Sequence, residues 1–210
     1  MKRQEIIKFG GFSWIVLDVQ DRRALLLSYF VLEEKFYHRL SSVHRMMWYK
    51  GVEYNPNIGV TWETCLMRRY LNREFHDTHF SDEEKQRILT VAIKNSDNPW
   101  YSTTGGNNTR DKLFLLSIDE VLEYFGDSGK LANETLADVN SGEICDQYDS
   151  ARVAYNTHGF PATWALRTPG ASNDEVAFIA DDDYLSGSLC VTGREIRESF
   201  GIRPAMWVWI

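Results

Sequence analysis

A chain of 210 residues, 43% apolar and 25% charged, is long for one small domain and short for two, so one globular domain with long insertions is expected. Its formal net charge of −7 sets an acidic average surface against phosphate, which argues against nucleic acid as a partner. Three cysteines, Cys65, Cys145 and Cys190, are an odd number without a C-x-x-C pair; this argues against a disulfide framework or zinc knuckle and for small buried thiols.

The N-terminal stretch MKRQEIIKFGGFSWIVLD carries Glu5 and Lys8 where a signal peptide needs a continuous apolar run. No apolar run has membrane-spanning length. The expected location is cytoplasmic, without a membrane partner, and export by a non-classical or phage route stays open. Seven Trp and ten Tyr point to a core or binding face built from large rings.

In chain order, GGFSWIVLDV and ALLLSYFVL flank the polar turn QDRR and predict a largely buried β-hairpin. Thr61 is placed as N-cap of a helix over TWETCLMRRYLNREF, with Trp62, Leu66, Tyr70 and Phe75 as its apolar stripe. Ser81 with Glu84, and Ser117 with Glu120, have the spacing of capping boxes that start two further helices. Ile88 and Leu89 are assigned to the buried side of the first, and Gly126 stops the second. DKLFLL reads as a short buried strand. Long polar loops are expected between the helices and from about 127 to 163. EVAFIA and YLSGSLCV flank Asp181, Asp182 and Asp183 as strand, acidic turn, strand. RPAMWVWI reads as a final strand covered on both faces. Strands at both ends with helices between make the class α+β.

Five ordered stretches carry a family resemblance: WIVL at 14–17, TWETCLMRRYLNREF at 61–75, DKLFLLSIDEVLEYF at 111–125, TWALRTPG at 163–170 and GIRPAMW at 201–207. In them the chain resembles an uncharacterised bacterial domain-of-unknown-function family with W-W-L-R-S-P-G and G-V-R-P-A-L-W motifs, as one domain over 1–210 with core motifs from about residue 8. Cys65 stands where that pattern has Ser, Arg69 and Tyr70 where a Trp is commoner, and Ala165 at the second Trp. The family is similar, more distantly, to C-type-lectin-like proteins, including the formylglycine-generating sulfatase-modifying proteins and retroelement-diversified binding proteins. That resemblance implies one C-type-lectin-like domain with paired N- and C-terminal strands, about three helices and long loops. It also implies ligand-facing positions between residues 171 and 200.

Each candidate site has a plainer alternative. Arg167 and Arg203 could bind an anion; beside Trp and Pro they more often serve backbone carbonyls or a core carboxylate. Structural roles are assigned to Trp14, Trp62, Trp164, Arg167, Pro169, Arg203, Pro204 and Trp207. Asp181–Asp183 could hold calcium, but EF-hand spacing is absent and a solvated hairpin tip is favoured. His76 and His79 form H-x-x-H, with solvated loop histidines favoured over a metal pair. The formylglycine resemblance implies two neighbouring reactive cysteines, and only Cys190 lies in the last third. No catalytic residue, metal ligand or cofactor is assigned. Ser172, Asn173, Asp174, Asp182, Asp183, Tyr184, Ser186 and Ser188 are the candidate ligand-binding residues, with Trp100, Tyr101 and Tyr148 as helpers, because Tyr, Ser and Asn suit adaptable surfaces. The expectation is a non-catalytic module for a protein or glycan, phage-associated or variable. The alternatives are an enzyme on the same fold and a structural subunit of a bacterial or phage assembly.

Overall fold

The computed structural model describes residues 1–39, 59–134, 142–181 and 186–210. Strands β1 (Ile6–Phe9), β2 (Phe12–Gln20), β3 (Arg23–Ser28) and β12 (Ala205–Trp209) form one antiparallel sheet in the order β1-β2-β3-β12. The expected hairpin is present: Gln20 faces Arg23 across a tight turn in which Asp21 takes φ 53°, a conformation Asp tolerates better than most residues. N- and C-terminal strands do share a sheet. The last strand lies against β3, with Ala205 opposite Leu27 and Trp209 opposite Arg23, one place removed from β2.

That last strand is not covered on both faces. Met206 and Val208 are buried, whereas Trp209 is 50% exposed and Trp207 is only half-buried. The Arg23 guanidinium sits 4.9 Å from the Trp207 ring centroid and supplies a cation–π cover where apolar packing is missing. The outer edge of β12 is closed by backbone: Leu89 N–H donates to Trp207 O, and Phe114 and Ala205 exchange both hydrogen bonds. DKLFLL is largely buried as expected, but within it only Asp111, opposite Val91, and Phe114, opposite Ala205, have ladder partners, so it is not one regular strand.

The second sheet has the order β4-β11-β8-β9-β10-β7. Its strands are β4 (Glu33–Phe36), β7 (Glu143–Ile144), β8 (Trp164–Pro169), β9 (Glu175–Ile179), β10 (Leu189–Glu195) and β11 (Ser199–Ile202). Every residue of β8 is buried, as suits a central strand. β9 and β10 pair antiparallel as predicted. A short hairpin, β5 (Val91–Ile93) with β6 (Thr109–Asp111), completes the strands among the described residues.

Helix α1 (Leu66–Tyr70) runs through a π-helical turn (Leu71–Phe75) into α2 (His76–His79). Its N-cap is Cys65, not Thr61. The Cys65 sulfur accepts from Arg68 N–H, in the place where the family pattern carries Ser, while Thr61 closes a preceding turn with Thr64 and Cys65. The buried stripe is Met67, Leu71 and Phe75, whereas Leu66 and Tyr70 of the expected stripe are only partly buried; the π turn at 71–75 places Phe75 on the face of Leu71. Within that turn, Asn72 donates to Arg68 O (3.0 Å) and Leu113 O (2.7 Å) and accepts from Lys112 N–H (2.7 Å).

Both capping boxes form, on α3 (Asp82–Arg87) and α4 (Ile118–Phe125), and α4 stops at Gly126 as predicted. Each box glutamate has a second task. Glu84 also accepts from Gly10 N–H (2.9 Å), and Glu120 from Arg167. The capping boxes thus tie helix starts to the sheets. α3 is shorter than expected, and Ile88 and Leu89 lie beyond its end, in the chain that edges β12. Two four-residue helices, α5 (Lys130–Asn133) and α6 (Asp149–Arg152), lie in the second loop region. The described part is thus a mixed α+β fold with more strands and more helical segments than the three helices expected. Buried apolar side chains from both sheets and the helices form one cluster.

Candidate functional site

The family motifs interlock through buried polar groups. Trp62 Nε1 donates to Asp111 (2.9 Å), which also receives Arg68 Nε (2.7 Å) and Thr109 Oγ1 (2.6 Å). Trp14 Nε1 donates to Phe9 O and Trp164 Nε1 to Arg152 O, so each fully buried indole has the partner its N–H requires. Sequence reasoning missed Arg152, which is fully buried. It donates to Asp146 (2.7 Å), Asp149 and Gly187 O (2.9 Å), fastening the second loop region to the β9–β10 connection. Burial works to raise the Asp146 pKa, but hydrogen bonds from Ser128, Tyr148 N–H and Arg152 outweigh it and hold the carboxyl below its ordinary value.

The two motif arginines differ. Arg167 makes a two-point contact with Glu120 and donates to Leu115 O (2.7 Å) and Lys94 O (3.0 Å). Arg203 is equally buried, and no carboxylate pairs with it among the described residues. It donates Nε to Ser28 O (3.1 Å) and lies between two rings, 4.9 Å from Trp164 and 5.6 Å from Phe125. Its Nη1 has no partner. Burial pulls its pKa down to about 9, which still leaves a cation at neutral pH. Pro204 O accepts from Ser28 N–H (2.9 Å), so Ser28 holds the motif from both sides. Pro169 O accepts from Asn98 Nδ2 (2.8 Å).

The sequence-predicted ligand residues do not make one face. β9 runs between two turns, so Ser172, Asn173 and Asp174 lie at one end of the sheet and the 180–188 connection at the other. Strand rise separates these ends by roughly 17 Å. Ser188 is fully buried beside β10, and Asn173 is partly exposed, donating to Thr104 O while its own carbonyl accepts from Val60 N–H. Ser172 and Asp174 are exposed and Ser186 is partly exposed. Asp182, Asp183 and Tyr184 lie outside the described residues. The helper aromatics are braces: Trp100 Nε1 bonds Leu131 O, Tyr101 OH meets Thr192 Oγ1 (2.9 Å), and the Tyr148 ring packs where a Cβ on Gly126 would sit.

The polar loop after β5 is ordered for a reason the composition hides. Asn98 donates to Pro169 O and Val191 O and accepts from Trp100 and Tyr101 N–H, using its whole amide. Thr103 Oγ1 adds a bond to Ala171 O (2.9 Å). The loop clamps the β8–β9 connection.

At the opposite end of that sheet, backbone contacts join segments that each carry an exposed ring the sequence reading did not weigh. Tyr29, Tyr155 and Phe160 are 38%, 47% and 67% exposed. Their segments are fixed by backbone: Val31 N–H donates to Tyr155 O (2.9 Å), Asn156 N–H to Phe160 O (2.8 Å), and Asn156 Oδ1 accepts from His158 and Phe160 N–H. Gly201 N–H donates to Thr163 O, and the Val31 side chain lies where a Gly201 Cβ would stand, which joins the Tyr29 segment to the start of β8. Thr163 Oγ1 donates to Asp181 (2.6 Å), so the described flank of the β9–β10 turn reaches the same end. The signal was present in the sequence as Y-F-V and H-G-F-P, two aromatic stretches beside turn residues.

The remaining candidates resolve as follows. His76 is buried, against the solvated reading, with Nδ1 2.8 Å from Asp77; His79 is exposed and stacks on Phe75. Among the described residues no group of three or more His, Cys, Asp or Glu is placed to hold a metal ion. Cys65 and Cys190 are buried as expected, with burial pushing the first thiol up to about 12 and the second to about 11. Cys145 is exposed, against expectation. Among the described residues no helix is long and apolar enough to cross a membrane.

Neither a search of curated proteins nor one of solved structures returns a match. A family model does match, over residues 22–210, and covers four of the five motifs. The chain belongs to the family described as Domain of unknown function (DUF6273).

Proposed function

We propose that the chain is a non-catalytic binding module on a C-type-lectin-like scaffold. Its ligand, a protein or a glycan, is met at the end of the six-stranded sheet where Tyr29, Tyr155 and Phe160 are exposed. The observation that carries this reading is that three exposed rings are carried by segments fixed to one another through backbone hydrogen bonds. Rings held this way offer contact area at small entropic cost. Ser172 and Asp174 at the far end take no part. A cytoplasmic site of action and a phage-associated role belong to the same reading.

The test is a glycan array and a phage-displayed peptide library probed in parallel with the intact protein and a Tyr155→Ser/Phe160→Ser variant. Both side chains are exposed, so the variant should melt within a few degrees of the parent. Ligands retained by the parent and lost by the variant support the face. Equal retention by both proteins, or none by either, counts against it.

A further inference from the structure

We propose that Arg203 is the anion-recognition residue of this module and that its ligand is an acidic glycan whose carboxylate reaches the Arg203 guanidinium. The inference rests on the binding face described above. Among the described residues three arginines, Arg152, Arg167 and Arg203, are buried. Two have carboxylates: Arg152 has Asp146 and Asp149, and Arg167 has Glu120. Arg203 has none among the described residues, and its Nη1 lacks any partner. Burying a cation without an anion is costly, and a ligand carboxylate offsets that cost with charge-assisted hydrogen bonds.

Position links Arg203 to the face. Its Nε bonds Ser28 O, next in sequence to exposed Tyr29, and it follows Ile202, whose carbonyl receives Leu32 N–H. Its cover includes Phe125, a partly exposed side chain rather than backbone, and the ligand reaches the guanidinium by displacing that ring. The choice of glycan over peptide follows from the backbone. The amides of Val31, Asn156 and Phe160 already have partners, so an extended peptide finds no strand edge there to join. Exposed rings remain for the apolar faces of sugar rings.

The probe is a galacturonic acid trimer, with its fully methyl-esterified form as the neutral counterpart, both titrated calorimetrically. The expected result is binding of the acid about tenfold or more tighter than the ester, the size of one charge-assisted hydrogen bond. Arg203→Met should erase that preference, and Arg203→Lys should retain part of it. Equal affinity for acid and ester, or no binding of the acid, overturns the proposal using the unaltered protein alone. A preference that survives in Arg203→Met also overturns it. If Tyr155→Ser/Phe160→Ser still binds the acid and Arg203→Met does not, the aromatic face fails while the arginine assignment stands.

Discussion

The two phrases TWALRTPG and GIRPAMWVWI look alike in sequence, each with a tryptophan near an arginine and a proline, and the fold uses them differently. In the first, Trp164 is fully buried and Arg167 is paired with Glu120. In the second, Trp207 is half-buried under Arg23, and Arg203 is buried without a carboxylate. The difference comes from topology. β8 has neighbours on both sides, whereas β12 edges its sheet and Arg203 lies in the short crossing from one sheet to the other. One phrase is a closed structural joint. The other leaves a cation unused.

The largest effect expected is at the joint. Trp164→Ala should cost about 3–5 kcal/mol, read by urea unfolding, because it opens a cavity and frees the Arg152 carbonyl. Arg167→Met should cost about 3 kcal/mol, since it leaves Glu120 without its cation; part of the Glu120 side chain is exposed, which keeps the loss at the low end. A double-mutant cycle with Glu120→Gln should return part of that loss.

The other paired arginine offers a pH test. The folded-state pKa of Asp146 is lowered, so its contribution to stability is complete above the ordinary aspartate value near 4 and is lost as pH falls through the folded value. Asp146→Asn should therefore lower stability at pH 6 and flatten its fall between pH 5 and 2. An unchanged slope would mean that Arg152 does not depend on this carboxylate. Trp207→Ala should cost only about 1–2 kcal/mol, because a half-buried ring leaves a shallower void. Arg203→Met should change stability least, by about 1 kcal/mol or less: it loses the bond to Ser28 O and the cation–π contacts, but removes a buried charge that no carboxylate pairs with among the described residues.

Local chemistry was legible in the sequence. Ser81 with Glu84, Ser117 with Glu120, the Gly126 stop and the β2–β3 hairpin all depend on neighbours a few residues away, and all formed. The burial of Trp14, Trp62 and Trp164 was also readable, since large rings in apolar stretches seek the core. What the sequence hid depends on long-range pairing. Thr61 lost the helix start to Cys65 because the preceding turn uses its carbonyl. Ser188 reads as a surface residue in the sequence, yet it is fully buried beside β10. The split of 171–200 into two sheet ends follows from strand direction. The segments that carry exposed Tyr29, Tyr155 and Phe160 are joined by Val31 pairing beside Tyr155 and Asn156, a contact between residues far apart in sequence.

Side-by-side urea unfolding of Arg167→Met and Arg203→Met tests the contrast most directly. The account predicts a loss of about 3 kcal/mol for the first and about 1 kcal/mol or less for the second. Equal losses would contradict it, because they would mean that Arg203 is as firmly committed to the fold as Arg167 and has no charge left for a ligand.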